Sequence, residues 1–593
     1  MDSTHEVFNQ PQALVGYNLF ASNRPLRDAL KFNAPLLDTA TLAALGATLG
    51  SADMQAHARL ANVNAPVLHG HDRFGRRVDQ VEFHPSYHVL MAAAIGAGLH
   101  NSQPGSPHPN PLPGGEGTRA GERSLFDGNS LPLPPASLPL PLGEGRDKGS
   151  PAPSAPYAHI ERAAGFMLFT ELEASTLCPI SMTYAVTPAL KSNAAIYADW
   201  GPKLASRAYD PALKLWSDKP GLTMGTGMTE KQGGSDVRAN TTRAVRDGND
   251  HWGERYRLTG HKWFFSAPMC DAFLVLAQTQ SGLSCFFLPR VLPDESLNAI
   301  RIQRLKDKLG NKANASAEVE FDNAQAWLVG DEGRGVPQIL EMGTMTRLDC
   351  ALGTSGLMRQ ALSLALNHTS QRQAFGKLLI DQPLMRNVLA DLAIESEASC
   401  ALSIRLARAF DHKDDAHEVA MARLLTPIAK FWICKRGSHF AQEAMECLGG
   451  NGYVEAGGEG VMARIYREMP LNSIWEGAGN IMVLDLLRAL RKGDAVAALL
   501  HELVPAKGAH PALDRMTAAL PARIEGMANE SEARRLAQDV ALAVQGALLC
   551  QSAPAEVFDA FCESRIAGNW GHTFGTLAAD THFENIIARA MPQ

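Results

Sequence analysis

The sequence predicts an α+β protein in which an antiparallel β domain separates two helical regions. Residues 1–100 show helical periodicity, residues 220–330 switch to short apolar or alternating runs, and long helical patterns return from residue 335. A chain of 593 residues is too long for one hydrophobic core, so several domains are expected.

The first domain, residues 1–219, is predicted to be mainly helical. Leu42, Leu45 and Leu49 are spaced i, i+3 and i+7, so they share one face of a helix. Residues 90–94 are likewise rich in strong helix formers.

An insert at residues 102–156 interrupts this domain. It is rich in Pro, Gly and Ser and poor in aromatic residues, a composition that cannot bury enough apolar surface to fold. A Pro-Leu-Pro segment at 111–117 recurs in similar form at 139–145. One interpretation is a docking segment that presents proline motifs. A tolerated surface-loop insertion is favoured, because the entropy cost of loop closure grows only slowly with length.

The second domain, residues 220–332, is predicted to be an antiparallel barrel or sandwich. Four runs alternate or are continuously apolar between turn signals, as strands do: residues 251–258, 273–277, 283–288 and 317–321.

Two further helical regions complete the chain. A helix bundle is predicted for residues 333–491, with clear helical runs at 358–366 and 402–410. A helical extension is predicted for residues 492–593, with an amphipathic run at 534–544.

Composition narrows the function classes. The formal net charge is -7, so nucleic acid binding would require a local basic patch. Nine scattered cysteines without a C-x-x-C pair predict reduced thiols and no metal site. Without an apolar leader or a run of about twenty apolar residues, neither secretion nor a membrane span is expected. A cytoplasmic protein is predicted.

The stretch MGTGMTEKQGGSDV at residues 224–237 has the ingredients of a loop that binds an anion. Thr226 and Thr229 supply hydroxyls, and Gly233 and Gly234 allow a sharp turn that exposes backbone N–H groups. The stretch matches neither a G-x-G-x-x-G fingerprint nor a Walker loop. Considered alone, the stretch fits an ordinary glycine-rich hairpin loop better than a cofactor site.

Four more motifs follow in order. They are GHKWFFS at 260–266, RQAFGK at 372–377, LGGNGY at 448–453 and SIWEGAGN at 473–480. Together with the loop, this set resembles the acyl-CoA dehydrogenase flavoprotein family. The residues of the loop at 224–237 and of the motif at 473–480 are similar to those of the AidB-type branch, which is associated with the response to DNA alkylation.

The resemblance implies non-covalent FAD. It places Phe264 against the isoalloxazine ring, Ser266 near flavin N5 or O4, and Arg372 on the pyrophosphate of a neighbouring subunit's cofactor, which implies a homo-oligomer, expected to be a tetramer. The full implied cofactor-binding set is Met228, Thr229, Gly234, Ser235, Phe264, Ser266, Arg372, Gln382, Gly449, Gly450, Trp475, Gly477 and Asn480.

Glu476 is the candidate general base for α,β-dehydrogenation of an acyl thioester. Its neighbours Ile474 and Trp475 are apolar and Gly477 is small, an environment that suits a general base. From the local sequence alone, Glu476 could equally cap the following helix. The resemblance places a catalytic glutamate here, and it places Arg347 close enough to tune it.

Two functions compete. In the first, favoured by the resemblance, the chain binds acyl-CoA, dehydrogenates it weakly and binds duplex DNA. Basic residues at Arg488, Arg491, Lys492, Lys435 and Arg436 are the candidate DNA contacts, and the first three are predicted to share a helix face. In the second, the chain is a fully active metabolic dehydrogenase without a DNA role.

Several residues of this sequence differ from those that are usual in the family, and these differences affect the choice between the two functions. Ala478 stands where many members have threonine, Glu446 stands where glutamine is common, and Lys231 and Gln232 replace the usual loop residues.

Overall fold

The computed structural model describes residues 4–101 and 157–592, apart from residues 493, 528 and 570. The predictions made for the insert at 102–156 lie outside the described residues. In the N-terminal region the structure has α1 (Leu19–Ser22), α2 (Arg24–Asn33), α3 (Ala40–Leu49), α4 (Ala52–Val63), β1 (Val67–His71), β2 (Arg77–Glu82), α5 (Pro85–Gly96), α6 (Ala158–Leu172), α7 (Leu177–Leu190) and α8 (Ala194–Leu204).

Helix α3 forms as its spacing predicts. Leu42, Leu45 and Leu49 are all buried in the core. The hairpin β1–β2, however, lies in a region that was predicted to be mainly helical. It forms because helix α4 ends at Val63 and the carboxylate of Asp72 closes the turn, accepting from the backbone N–H groups of Phe74 and Arg76 at 2.8 and 2.9 Å.

The middle region is a largely antiparallel sheet that closes on itself within the described residues, as strands β6, β7, β9, β5 and β4 pair in a ring. Two pairings differ from the antiparallel prediction, because β3 and β4 each pair with β6 in parallel. The strands are β3 (Met224–Gly227), β4 (Arg243–Asp250), β5 (Gly253–Ser266), β6 (Ala272–Thr279), β7 (Gly282–Pro289), β8 (Ile300–Leu305) and β9 (Ser316–Val329).

Long helices return after the sheet, as predicted. They are joined by one small hairpin and followed by the helical extension. The elements are α9 (Gly335–Thr369), β10 (Gln373–Ala374), β11 (Lys377–Leu378), α10 (Pro383–Asp411), α11 (Ala416–Glu446), α12 (Gly450–Tyr453), α13 (Val461–Glu468), α14 (Gly479–Leu490), α15 (Ala495–Leu503), α16 (Pro511–Glu525), α17 (Ala533–Ser552), α18 (Ala555–Phe561), a π-helical turn (Cys562–Ile566) and α19 (Phe583–Ala590).

Buried ion pairs attach the extension to the bundle. Arg565 of the extension pairs with Asp391 and Glu395 of α10. Arg589 of α19 lies 2.8 Å from Glu397, which is also on α10. The extension is therefore packed as part of the bundle. Among the described residues, no helix is both long and apolar enough to cross a membrane.

Candidate active site

A cavity with a volume of about 70 Å³ lies where α6, α7 and α9 meet the β domain. Its polar lining includes Glu476, Thr346 of α9, Ser266 at the end of β5 and Thr226 of β3. Its apolar lining comes from side chains of α6 and α7, namely Phe166, Leu177 and Met182. The carboxylate of Glu476 and three hydroxyls from separate domains thus face one largely apolar space.

Glu476 lies in the turn that leads into α14 and has a left-handed backbone conformation, with φ of 58°. That conformation is costly for a residue other than glycine, so the surrounding structure must hold it. Its side chain does not cap α14, because Ala478 occupies the N-cap position. Instead, Oε2 of Glu476 accepts a hydrogen bond of 2.7 Å from the hydroxyl of Thr346.

Two cationic side chains hold three successive carbonyls of this turn. Nζ of Lys430 donates to the carbonyls of Trp475 and Gly477 at 2.7 and 2.5 Å. Nε of Arg347 donates to the carbonyl of Glu476 at 3.0 Å. Each hydrogen bond from a charged donor is stronger than a neutral one, so together they fix the strained turn.

Sequence reasoning missed Lys430, which is only 1% exposed on α11. The signal was present, since this lysine interrupts an otherwise apolar run between Ile428 and Cys434. Arg347 was predicted to act on Glu476. The structure places its guanidinium on the backbone of Glu476 and, at 2.8 Å, on the carboxylate of Asp485.

The predicted flavin loop follows β3 and is joined to β5. Thr229 forms a bridge with Phe264, and the carbonyl of Thr229 accepts from the backbone N–H of Trp263 at 2.8 Å. A Cβ at Gly234 would come within 2.6 Å of the Thr229 hydroxyl, so any larger residue there would displace the Thr229 side chain. Gly234 and Ser235 are exposed, which leaves the turn open to a ligand.

A buried ion pair anchors the loop. Lys262 Nζ lies 2.8 Å from Oε1 of Glu230, and both side chains are fully buried. Burial acts to raise the pKa of Glu230, but Lys262 and the hydrogen bonds from Thr242 and Thr241 outweigh it and hold that pKa well below its usual range. Neither residue was among the predicted site residues, although both lie inside the two motifs.

The aromatic residues of β5 divide between core and surface. Phe265 is fully buried, whereas Phe264 is 49% exposed. Ser266, two residues on, lines the Glu476 cavity. The exposed ring of Phe264 therefore lies between the glycine-rich loop and the cavity. A flat ring system stacked on Phe264 could place its reactive edge near Ser266.

Several other predicted cofactor residues lie apart from the cavity lining. Arg372, on the β10–β11 hairpin, donates to the carbonyl of Asn9 at 2.9 Å and to Oε1 of Gln10 at 3.2 Å. Gln10 also accepts from Asn451 at 3.3 Å, so the N-terminal segment links Arg372 to the turn that contains Gly449 and Gly450.

The remaining predicted residues can also be placed. Gln382 is the N-cap residue of α10 and donates to the carbonyl of Ala374. The Met228 carbonyl accepts from Asn240. Asn480 is exposed in the first turn of α14. Trp475 lines the cavity and donates to Asn472 at 2.9 Å, and Gly477 has φ of 105°.

The basic residues proposed for DNA contact divide into two groups. Arg488, Arg491, Lys492 and Lys435 are exposed. Arg436 donates instead to Glu395 at 3.0 Å within the bundle. Helix α14 ends at Leu490, so Lys492 follows the helix and does not share its face as predicted.

The order of a helical domain, a closed β domain and a helix bundle, with a glutamate and a serine facing one apolar cavity, defines an acyl-CoA dehydrogenase. Family models agree: the adaptive response protein AidB N-terminal domain matches residues 9–126 and 148–211, the acyl-CoA dehydrogenase middle domain matches 225–324, and its C-terminal domain matches 333–491. The chain belongs to the acyl-CoA dehydrogenase family, in its AidB branch.

Relatives support this placement. The chain is 47% identical over 564 residues to "Putative acyl-CoA dehydrogenase AidB" of Escherichia coli K12, covering 94% of each. It is 36% identical over 346 residues to acyl-CoA dehydrogenase family member 11 of Caenorhabditis elegans, covering 56% of this chain and 54% of the relative.

Two solved structures share the fold over nearly the whole chain. Caenorhabditis elegans ACDH-11 in complex with C11-CoA has a TM-score of 0.77 and 25% identity, covering 99% of this chain and 97% of that one. The apo form of Bd2924 has a TM-score of 0.76 and 28% identity, covering 92% and 100%.

The chain is therefore an FAD-dependent acyl-CoA dehydrogenase-like oxidoreductase. The residues present fit that cofactor. The exposed face of Phe264 suits the flavin ring, the Ser266 hydroxyl suits its polar edge, and the open turn at Gly233 and Gly234 suits the phosphates.

Proposed function

We propose that this protein removes the Cα proton of an acyl-CoA thioester with Glu476 as the base. The single observation that supports this most is the position of Glu476, held by cations on the backbone around it and facing an apolar cavity that also contains Ser266. A base held in one geometry, with its neighbours already hydrogen-bonded, is preorganised for proton abstraction.

The reaction balances as one proton and one hydride. The proton leaves Cα for Glu476, a double bond forms between Cα and Cβ, and the hydride leaves Cβ. FAD, when bound, accepts that hydride. Phe166, Leu177 and Met182 exclude water from the acyl chain, and Thr346 keeps one carboxylate oxygen of Glu476 occupied so that the other meets the substrate.

The test is an absorbance spectrum of purified protein with and without a panel of acyl-CoAs. The parent protein is expected to show flavin bands that bleach with an accepted acyl-CoA. Glu476→Gln should retain the flavin bands and lose the bleaching, because a carboxamide is nearly isosteric but cannot take the proton. Bleaching at the parental rate in Glu476→Gln would refute Glu476 as the base.

The protein is further proposed to be a homo-oligomer, with a tetramer expected. Phe375 at the tip of the β10–β11 hairpin is 100% exposed, and Leu384 and Tyr453 are 83% and 78% exposed. Large apolar side chains exposed this fully are typical of an interface. Sedimentation should show an oligomer that Phe375→Asp dissociates. A monomeric parent protein loaded with FAD would contradict the proposal.

Duplex DNA is the second proposed partner, bound weakly and without sequence preference. The supporting observation is that Arg488, Arg491 and Lys492 are exposed and, among the described residues, have no carboxylate within salt-bridge distance. Cations at the end of a helix also suit its dipole, and a solvated surface is the alternative explanation. The match to the Escherichia coli relative and the match to the AidB domain support a proposed role in the alkylation response.

The DNA proposal is tested by binding at several salt concentrations. For phosphate contacts, log K should fall with log salt at a slope of about -0.9 per contact. Replacing Arg488, Arg491 and Lys492 together with Ala should weaken binding and reduce the slope by about 2–3, while flavin content stays unchanged. If the parent protein binds no DNA at low salt, and bleaches rapidly with acyl-CoA, the metabolic function is the correct one.

A further inference from the structure

A second cavity lies in the N-terminal region, apart from the residues assigned to dehydrogenation. It is bounded by α4, α6 and α13, with Gln360 of α9 on one side, and has a volume of about 230 Å³. That volume is many times the roughly 10–15 Å³ that one water molecule needs, so the cavity has room for a small organic molecule. Neither Glu476 nor Ser266 lines it.

Three polar side chains that line this cavity have unused hydrogen-bonding groups. Glu171 is 3% exposed and accepts only a long contact of 3.4 Å from Asn23, and no cation among the described residues pairs with it. Gln360 is 5% exposed and accepts from Tyr17 at 2.9 Å, while its NH₂ group has no acceptor in the described part of the chain.

Arg464 is the third. It donates to the carbonyl of Leu172 at 2.8 Å, and no carboxylate of the described residues lies within salt-bridge distance of it. Buried polar groups in native proteins are almost always hydrogen-bonded. Glu171 and Gln360 are buried and Arg464 is partly buried, so their unused hydrogen-bonding groups in one cavity indicate a ligand.

Charge defines the chemistry of that ligand. Burial raises the pKa of Glu171 to about 8, and Arg359 offsets this only in part. At neutral pH, Glu171 is therefore protonated and can donate, as the guanidinium and the carboxamide can. The other charged groups that line the cavity are Arg59, which donates to the carbonyl of Gly457, and the exposed Glu459.

Gln55 also lines the cavity and donates to the carbonyls of Leu14 and Gly50. The rest of the wall is mainly apolar and includes Val15, Leu19, Leu49, Leu172 and Val461. Three donors that line one largely apolar cavity suit a ligand with hydrogen-bond acceptors at one end and hydrocarbon at the other. We propose that this cavity binds an amphipathic carboxylate, such as a free medium-chain fatty acid, with the carboxylate on Arg464, Gln360 and Glu171.

The site is separate from the dehydrogenase cavity. A smaller cavity shares Glu171 and Arg464 with the second cavity and Glu468 with the Glu476 cavity. Glu468 is 6% exposed at this junction and accepts hydrogen bonds from Asn311. The smaller cavity, which also shares Thr170 and Ala174 with the Glu476 cavity, has a volume of only about 10 Å³. That is barely the space of one water molecule, so the acyl tail of a thioester is not expected to pass through it.

Calorimetry of the FAD-loaded protein with decanoate tests the proposal. One molecule per chain should bind without changing the flavin spectrum, and saturating decanoyl-CoA should not displace it. Arg464→Met should weaken binding at least tenfold, because it removes the charged donor, whereas the matched change of exposed Arg24→Met should not. Decanol, which lacks the carboxylate, should bind at least tenfold more weakly than decanoate.

Two variants guard against a misfolded Arg464→Met. Ala56→Trp, at an exposed position of the lining, should block binding without touching the core. Glu171→Gln should bind decanoate at pH 7 and, unlike the parent, keep that affinity above pH 8. Unchanged binding in both Arg464→Met and Ala56→Trp would overturn the proposal, as would displacement by decanoyl-CoA or the absence of decanoate binding.

Discussion

The hydroxyl of Thr346 donates to Oε2 of Glu476 across 2.7 Å. Thr346 is 6% exposed, so water does not compete for this hydrogen bond. The bond fixes the rotation of the carboxylate about its own axis. With one oxygen held, the other is left for a substrate proton.

Replacing Thr346 with Val should slow reduction of the flavin by acyl-CoA. Valine keeps the shape and removes a hydrogen bond to a charged group, worth about 1.5–3 kcal/mol, so the rate should fall roughly ten- to a hundredfold. FAD content should not change. Stopped-flow bleaching measures the effect, with Thr344→Val as the control because Thr344 contacts only the backbone of its own helix. Equal rates in the two variants would show that Thr346 does not orient the base.

Lys430 should be a positioning residue for the same turn. Lys430→Met removes the donor to the carbonyls on both sides of Glu476, so the left-handed backbone there loses support. We expect flavin reduction to fall at least tenfold with the substrate dissociation constant nearly unchanged. Arg423→Met, an exposed change on the same helix, is the control. A variant with weaker substrate binding but a normal rate at saturation would argue against positioning.

Much of this site could be predicted from linear motifs. Thr229, Phe264, Ser266 and Glu476 lie in segments whose spacing and order resemble one family, and local chemistry suggested what each could do. Thr346 belongs to no such motif, and Lys430 is marked only as a lysine within an apolar run, which does not indicate its partner. The role of both residues depends on α9 and α11 packing around a turn that is distant in sequence.

The fold, like the site, could be predicted from the sequence only in part. Periodicity predicted α3 and the strands β5, β6, β7 and β9, because each has a regular buried face. The β1–β2 hairpin was missed, since its strands are short and its first strand has no buried residue. The parallel pairing of β3 with β6 was missed as well, because pairing direction is a property of tertiary contacts.

The Glu230–Lys262 pair should set the affinity for FAD. Glu230→Gln leaves a buried ammonium without its counter-charge, which typically costs about 3–5 kcal/mol in stability. Because the pair joins the glycine-rich loop to β5, the FAD dissociation constant should rise at least tenfold. Titration of apoprotein with FAD measures this. Asp247→Asn, which breaks the exposed pair with Arg257 at 2.7 Å, should change stability by only about 0–1 kcal/mol. If it weakens FAD binding equally, the buried pair has no special role.

Glu171→Gln should change how stability depends on pH. The pKa of Glu171 is raised from 4.5 to about 8 by burial, so the folded state holds its proton across this interval while the unfolded state releases it. The stability that this group contributes is complete below pH 4.5 and is lost as pH rises through 8.

Glutamine keeps a neutral side chain at every pH. The variant should therefore gain stability relative to the parent between pH 5 and pH 8, by up to about 4 kcal/mol on the scale of 1.36 kcal/mol per pKa unit. Urea denaturation at the two pH values measures the difference. Gln360→Met removes a neutral group from the same cavity and should give the same stability difference from the parent at both values. A pH-independent difference for Glu171→Gln would mean that Glu171 is ionised in the folded protein, and the carboxylate ligand proposed for its cavity would then lose one of its three donors.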